Sequence, residues 1–100
     1  MPRLQIRYSK AADAEYRAII KESRRHGSVN WYRQRIRAAL RAISDHPEIG
    51  MKCDYLLSDL RKFPVESHRI YYRVVDNVVL ITHLLHHLQS EGRGDWDAGD

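Results

Sequence analysis

One hundred residues, 43% of them hydrophobic, suffice for one domain with a modest core. No stretch approaches the roughly 20 apolar residues of a bilayer span, the opening residues lack the apolar run of a signal peptide, and Cys53 is alone, which excludes an internal disulfide and a cysteine-based zinc site. The net charge of +4 hides an asymmetry, since residues 1–50 carry 11 Lys/Arg against 5 Asp/Glu and residues 51–100 carry 6 against 8; the expectation is a cytoplasmic protein, not bound to membrane, whose basic first half attracts an acidic partner or nucleic acid.

In chain order, residues 4–8 alternate apolar and polar side chains, the period of a half-buried strand. Ser9 follows as an N-cap, and Ala12, Tyr16, Ile19 and Ile20 fall on one face of a helix that Gly27 ends. Ser28 is placed to cap a second helix, whose positions Tyr32, Ile36, Ala39, Leu40 and Ile43 keep a 3.6-residue period until Pro47 and Gly50. Two helices joined at Gly27 and Ser28 form an antiparallel hairpin.

Residues 60–65 read as a strand that Pro64 confines to an edge or a bulge. Residues 67–75 and 78–85 are stronger strands, joined by Asp76 and Asn77, which both tolerate positive φ. The prediction is an α+β fold: an N-terminal strand, a two-helix antiparallel hairpin, then a three-stranded antiparallel meander, with the helices on one face of the sheet. The domain is expected over residues 1–89. Residues 90–100, rich in Gly and Asp, are expected to fray.

On the strand carrying Tyr71 and Tyr72, alternation assigns Ile70, Tyr72 and Val74 to the core and Arg69, Tyr71 and Arg73 to the open face. Pairing Val75 with Val78 and continuing the register sets His68 opposite Leu85, within diagonal reach of His83 or His87. Histidine titrates near neutral pH and can act as acid or base, but no tight His/Asp/Glu spacing supports a metal. Structural or interface histidines are the preferred reading.

Arg33, Arg37 and Arg41 recur every four residues beside the apolar face of the second helix, extended by Arg24, Arg25 and His26 at the hairpin tip. They form either a solvated flank or a recognition stripe for an acidic partner segment, for DNA, or for an acidic face of a target. Base-specific DNA reading is not expected, since no recognition helix is evident. Trp31 lies off the main apolar stripe and either packs on the hairpin or anchors a partner. Cys53 reads as a small core or loop residue.

The segment Asp59-Leu60-Arg61-Lys62-Phe63-Pro64-Val65-Glu66-Ser67-His68-Arg69-Ile70-Tyr71-Tyr72-Arg73-Val74 resembles the central signature of ParE-type toxins of the RelE/ParE superfamily. That signature runs Leu-Arg, a short apolar piece, then His-Arg-Ile-x-Tyr-Arg-Val. A strand before an Ala-Asp-containing helix, His46-Pro47-Glu48-Ile49-Gly50 ahead of the sheet, and an apolar strand ending in Leu85 and His86 also fit, so the resemblance spans roughly residues 3–88.

The resemblance implies a toxin of a type II toxin–antitoxin system that acts by binding DNA gyrase, needs no cofactor and is neutralised by a ParD-like antitoxin whose C-terminal segment wraps it. Operator DNA would be reached only through the antitoxin. The partner-binding set would be Arg69, Tyr71, Arg73, Arg33, Arg37, Arg41 and Trp31. The alternative within the superfamily is a RelE-like ribosome-dependent messenger endoribonuclease with a rearranged site drawn from Arg61, Arg69, His83 and His87. The strand arginine of that branch falls on Arg69, but its two lysines fall on Leu57 and Asp59 and its late arginine on Leu88; for its C-terminal tyrosine the nearest aromatic is Trp96. Leucine and aspartate cannot stabilise charge developing on a phosphate. The binding mechanism is therefore favoured.

Overall fold

The computed structural model describes residues 3–93 and Trp96. Strand β1 (Gln5–Tyr8) leads into helices α1 (Lys10–Arg25) and α2 (Val29–Asp45), then a 3-10 turn (Pro47–Ile49) and the two-residue strand β2 (Met51–Lys52). Strands β3 (Arg61–Val65), β4 (His68–Val75) and β5 (Val78–His86) follow, and Glu91–Arg93 form a last 3-10 turn.

Ser9 explains why the first helix starts where it does. Its Oγ accepts from the Ala12 amide at 3.0 Å, as an N-cap should, and its hydroxyl donates to the Thr82 carbonyl at 2.7 Å. One side chain thus starts α1 and ties it to β5. Gly27 leaves α1 at φ +71°, the left-handed conformation that glycine takes without steric penalty. Ser28 differs from the expectation: its hydroxyl makes no cap bond to α2 and instead donates back to the Ser23 carbonyl at 3.3 Å.

The meander β3–β4–β5 forms as expected, with Asp76 and Asn77 both at positive φ in its turn. Two strands extend it into a mixed sheet of order β1-β5-β4-β3-β2, in which β1 lies parallel to β5 and the remaining pairs are antiparallel. Because β2 reaches only Lys62 and Arg61, Pro64 stays on a free edge, where its missing N–H costs no ladder bond.

Both helices pack on one face of the sheet. There Ala12, Ile19, Ile36, Ala39 and Ile43 meet Ile70, Tyr72, Val79, Ile81 and Leu84 in the main core. Val74 does not join them. It is 42% exposed because β3 begins at Arg61, opposite Tyr72, which leaves Val74 a strand neighbour on one side only.

The register also departs from simple alternation. A β-bulge between Tyr71 and Tyr72 leaves Thr82 as the extra residue of β5, and the buried Thr82 hydroxyl donates to the Tyr71 carbonyl at 3.2 Å. Past the bulge the pairing shifts by one, so His68 faces His86 rather than Leu85. The shift keeps Ile81 and Leu84 together on the helix face and sends His83 and Leu85 to the other.

Candidate functional site

The sheet face away from the helices is not open along its length. Cys53, Leu60, Tyr71, Leu85 and Trp96 form a second apolar cluster there, with Leu56 and Leu57 packed against it. The loop carrying the first two closes on itself: the Cys53 amide donates to the Leu60 carbonyl at 2.8 Å, and the Asp54 carboxylate accepts from the Asp59 amide at 2.9 Å where Asp59 takes φ +65°.

Glu91 closes the other side. Its carboxylate accepts from Tyr71 Oη at 2.6 Å, Tyr55 Oη at 2.8 Å and Lys62 Nζ at 3.1 Å. The Trp96 indole donates to the Glu91 carbonyl at 2.8 Å, and its ring lies 4.8 Å from both Tyr71 and His83. Burial alone would raise the Glu91 carboxyl, but the bonds from Tyr71, Tyr55 and Lys62 outweigh it and hold it below the usual carboxylate range. Burial, reinforced by Glu91, pushes the Tyr71 phenol up.

Two expectations change here. Tyr71 lies on the predicted face but is 1% exposed, because alternation fixes the face and says nothing of what covers it. The stretch expected to fray from Ser90 supplies Glu91 and Trp96 to that cover; residues 94, 95 and 97–100 lie outside the described residues. Arg69 and Arg73 are half-buried on the same face, and Arg73 Nε is shut from solvent with no hydrogen-bond partner among the described residues.

The four residues of a ribonuclease site do not converge. Arg61 pairs with Tyr72 on the helix face, where its Nη1 donates to the Glu48 and Gly50 carbonyls at 3.0 and 2.8 Å. Arg69 faces the opposite side with Leu85. His83 is 7% exposed beneath Trp96, with Nδ1 3.1 Å from the Glu15 carboxylate, which also accepts from the Leu84 amide at 2.8 Å where β1 no longer covers β5. His87 lies past the strand and donates through Nδ1 to the Ser67 carbonyl at 2.9 Å. Among the described residues, no group of three or more His, Cys, Asp and Glu is placed to hold a metal, and no helix is long and apolar enough to cross a membrane.

His68 and His86 meet on the helix side. His68 bonds through Nδ1 to Tyr32 Oη, and its ring lies 5.1 Å from that of His86. Burial first, then the His86 and His87 charges, lower His68 to about 4, so it is neutral at pH 7 and accepts from the tyrosine. A groove of about 590 Å³ opens here, lined by Ile19, Trp31, Tyr32, His68, Leu84 and His86. Trp31, 47% exposed, forms one lip with Arg35 stacked over its ring at 5.3 Å.

A pH dependence follows. Unfolded His68 takes up a proton below about 6.5, which the folded chain refuses until about 4. Stability should therefore be fully present above the unfolded value and fall across that window by about 1–2 kcal/mol, after allowance for solvent screening of a half-buried ring. Urea midpoints at pH 7 and pH 4.5 measure the fall. An equally large fall in His68→Gln would assign it to other groups.

Arg33, Arg37 and Arg41 are exposed along α2, and none enters an ion pair among the described residues. Lys62, Tyr55, Glu91 and Glu15 are the polar anchors that the sequence does not reveal. Glu91 stands in a Gly/Asp-rich stretch without periodicity, and Glu15 is one acid among several on a helix flank. The alternation of residues 60–65, which puts Lys62 on the face of Tyr71, is the one signal that could have singled out the lysine.

The profile of the family described as ParE toxin of type II toxin-antitoxin system, parDE, matches residues 6–91. The chain belongs to the ParE toxin family. Among solved structures it is similar to a chain of the chromosomal ParDE TA system from P. aeruginosa, with a TM-score of 0.67 at 14% identity, over 83% of this chain and 95% of that one. At that identity the likeness concerns the fold. No curated protein matches the sequence. The ParE profile ends at Glu91, so its match includes the residue that binds Tyr71 and stops short of Trp96.

Proposed function

We propose that this ParE-family toxin acts by binding DNA gyrase and not by cleaving messenger RNA. The observation that supports this most is the dispersal of Arg61, Arg69, His83 and His87 over two faces and a strand end, with Arg61 committed to backbone carbonyls. Stabilising a cleaved phosphodiester needs several donors aimed at one point. Leu57, Asp59 and Leu88 stand where the ribonuclease branch carries cations, and Leu57 packs into the second apolar cluster while Asp59 forms a loop turn.

A gyrase target places the toxin in the cytoplasm without a cofactor. In the reading we adopt, a ParD-like antitoxin neutralises it with a C-terminal segment that folds on binding, and the complex finds its operator through that antitoxin. Trp31 at the groove lip and Arg69 and Arg73 on the sheet are the protein-contacting residues of this proposal. Tyr71 contributes only when the cover of Glu91 and Trp96 is displaced.

Purified toxin added to gyrase supercoiling and DNA-cleavage reactions is expected to stabilise broken DNA. A translated messenger incubated beside it should stay intact. Codon-dependent messenger cuts with unaffected gyrase would instead establish the ribonuclease mechanism.

A further inference from the structure

The helical hairpin carries more positive charge than the whole protein. Residues 10–45, from the start of α1 to the end of α2, hold nine Lys/Arg against four Asp/Glu, +5, while the complete chain is +4. The acids do not neutralise this face evenly. Asp13 is paired with Arg17, Glu22 with Arg25 and His26, Asp45 with Arg3, and Glu15 turns to the β5 edge. Besides Lys10 at the start of α1, Lys21, Arg24, Arg33, Arg37 and Arg41 remain exposed and outside any ion pair among the described residues.

Those five are arranged together. Arg17, Lys21 and Arg24 of α1 and Arg33 of α2 surround one depression, floored by Tyr16 and Ile20, on the seam of the hairpin. Arg37 and Arg41 continue the row from Arg33 at one position per helical turn, a rise of about 6 Å per step. One DNA strand carries a phosphate for every roughly 3.4 Å of duplex axis, so a closely spaced row of guanidinium groups can meet several charges of one backbone.

Composition separates this face from a protein-docking surface. Protein interfaces centre on buried apolar and aromatic anchors. The large exposed hydrophobics of the described residues are Tyr8, Trp31, Ile49, Met51, Tyr55, Val74, Val75 and Leu88, and only Trp31 belongs to the helices, where it lines the groove on the sheet side. The outward row of α2 reads Arg33, Gln34, Arg37, Ala38, Arg41, polar and cationic without an anchor. Nucleic-acid interfaces are of that kind.

We infer that the outer face of the α1–α2 hairpin binds the phosphate backbone of double-stranded DNA without reading its sequence. This goes beyond gyrase binding and does not depend on it. It gives the toxin a contact of its own with DNA, next to which any protein partner acts.

The test uses the full chain and a random-sequence 30-base-pair duplex, followed by fluorescence anisotropy from 50 to 200 mM salt. Four or five phosphate contacts predict a log–log slope near about −4 and a fall in affinity of about 250-fold over that range. Arg33→Gln with Arg37→Gln should weaken binding at least about tenfold at 100 mM and reduce the slope by about 1.8. Lys21→Gln with Arg41→Gln, at the two ends of the same face, should do likewise.

The pair Arg7→Gln and Lys52→Gln removes the same charge from exposed strand positions and should change affinity less than about twofold. Equal losses in all three pairs would reduce the effect to net charge and overturn the assignment. So would a wild-type chain that ignores the duplex, or one that binds a polyglutamate peptide more tightly than DNA.

Discussion

Gly50→Ala is expected to lower the thermal midpoint by about 10–20 °C, the shift that about 2–3 kcal/mol produces in a domain of this size. The backbone is not the reason: Gly50 sits at φ −74° and ψ 153°, an extended conformation open to any residue. Space is the reason. An added Cβ would lie 2.6 Å from Tyr72 Oη, 2.8 Å from Tyr72 Cε1 and 2.9 Å from the Lys62 carbonyl. None of the three can retreat cheaply. The Tyr72 ring is fully buried among the main-core side chains, its hydroxyl accepts from the Gly50 amide at 2.8 Å and donates to the Pro47 carbonyl at 2.7 Å, and Lys62 belongs to β3.

The same turn offers the Gly50 and Glu48 carbonyls to Arg61, so displacing it would also release that guanidinium from the helix face. Two controls isolate the cause. Gly27→Ala meets nothing within 4 Å and should cost only the left-handed strain of about 1–2 kcal/mol. In a Tyr72→Phe background Gly50→Ala should cost less than in the wild type, since the nearest atom is gone; the non-additivity is the signature of a shared clash. A Gly50→Ala midpoint within about 3 °C of wild type would mean that the turn moves freely and that Tyr72 does not anchor it.

What the sequence revealed was what is local. Ser9 caps a helix by its own hydroxyl, the period of Ile36, Ala39 and Ile43 is set within one helix, and Asp76 with Asn77 needs only two residues to make a turn. The segment from Asp59 to Val74 pointed to the family that the profile match establishes. What stayed hidden depends on residues far apart. The parallel pairing of β1 with β5 joins positions more than seventy apart, and β2 is too short to alternate. Tyr71 and Tyr72 read as a plain alternating pair, yet Thr82 bulges opposite them and moves His68 from Leu85 to His86. Periodicity also cannot say that Val74 lacks a β3 neighbour, or that Tyr71 is buried by a loop and by Glu91 and Trp96, which have no period of their own.

That cover has a measurable strength. Glu91→Ala is expected to destabilise the protein by about 2–3 kcal/mol, since it strips a charge-assisted acceptor from a buried phenol and from a mostly buried ammonium at once. Glu91→Gln keeps one acceptor but turns an amide toward Lys62, and should fall between Glu91→Ala and wild type. The two tryptophans are Trp31 and Trp96, so a Trp31→Phe background makes emission report Trp96 alone. In that background Glu91→Ala should shift the emission to the red, because losing the carboxylate unties the segment whose backbone carbonyl the indole donates to and opens the stack on Tyr71 and His83. Acid should reproduce the change: the folded Glu91 carboxyl is held below its unfolded value, so its contribution is present above about pH 4.3 and is lost as pH falls through the folded value. Emission unchanged by either route would show that the apolar contacts of Trp96 hold the cover without Glu91. Unchanged emission together with a full loss of stability would locate the energy in Tyr71 and Lys62 instead, and make the carboxylate a brace for the sheet and not a latch for the segment.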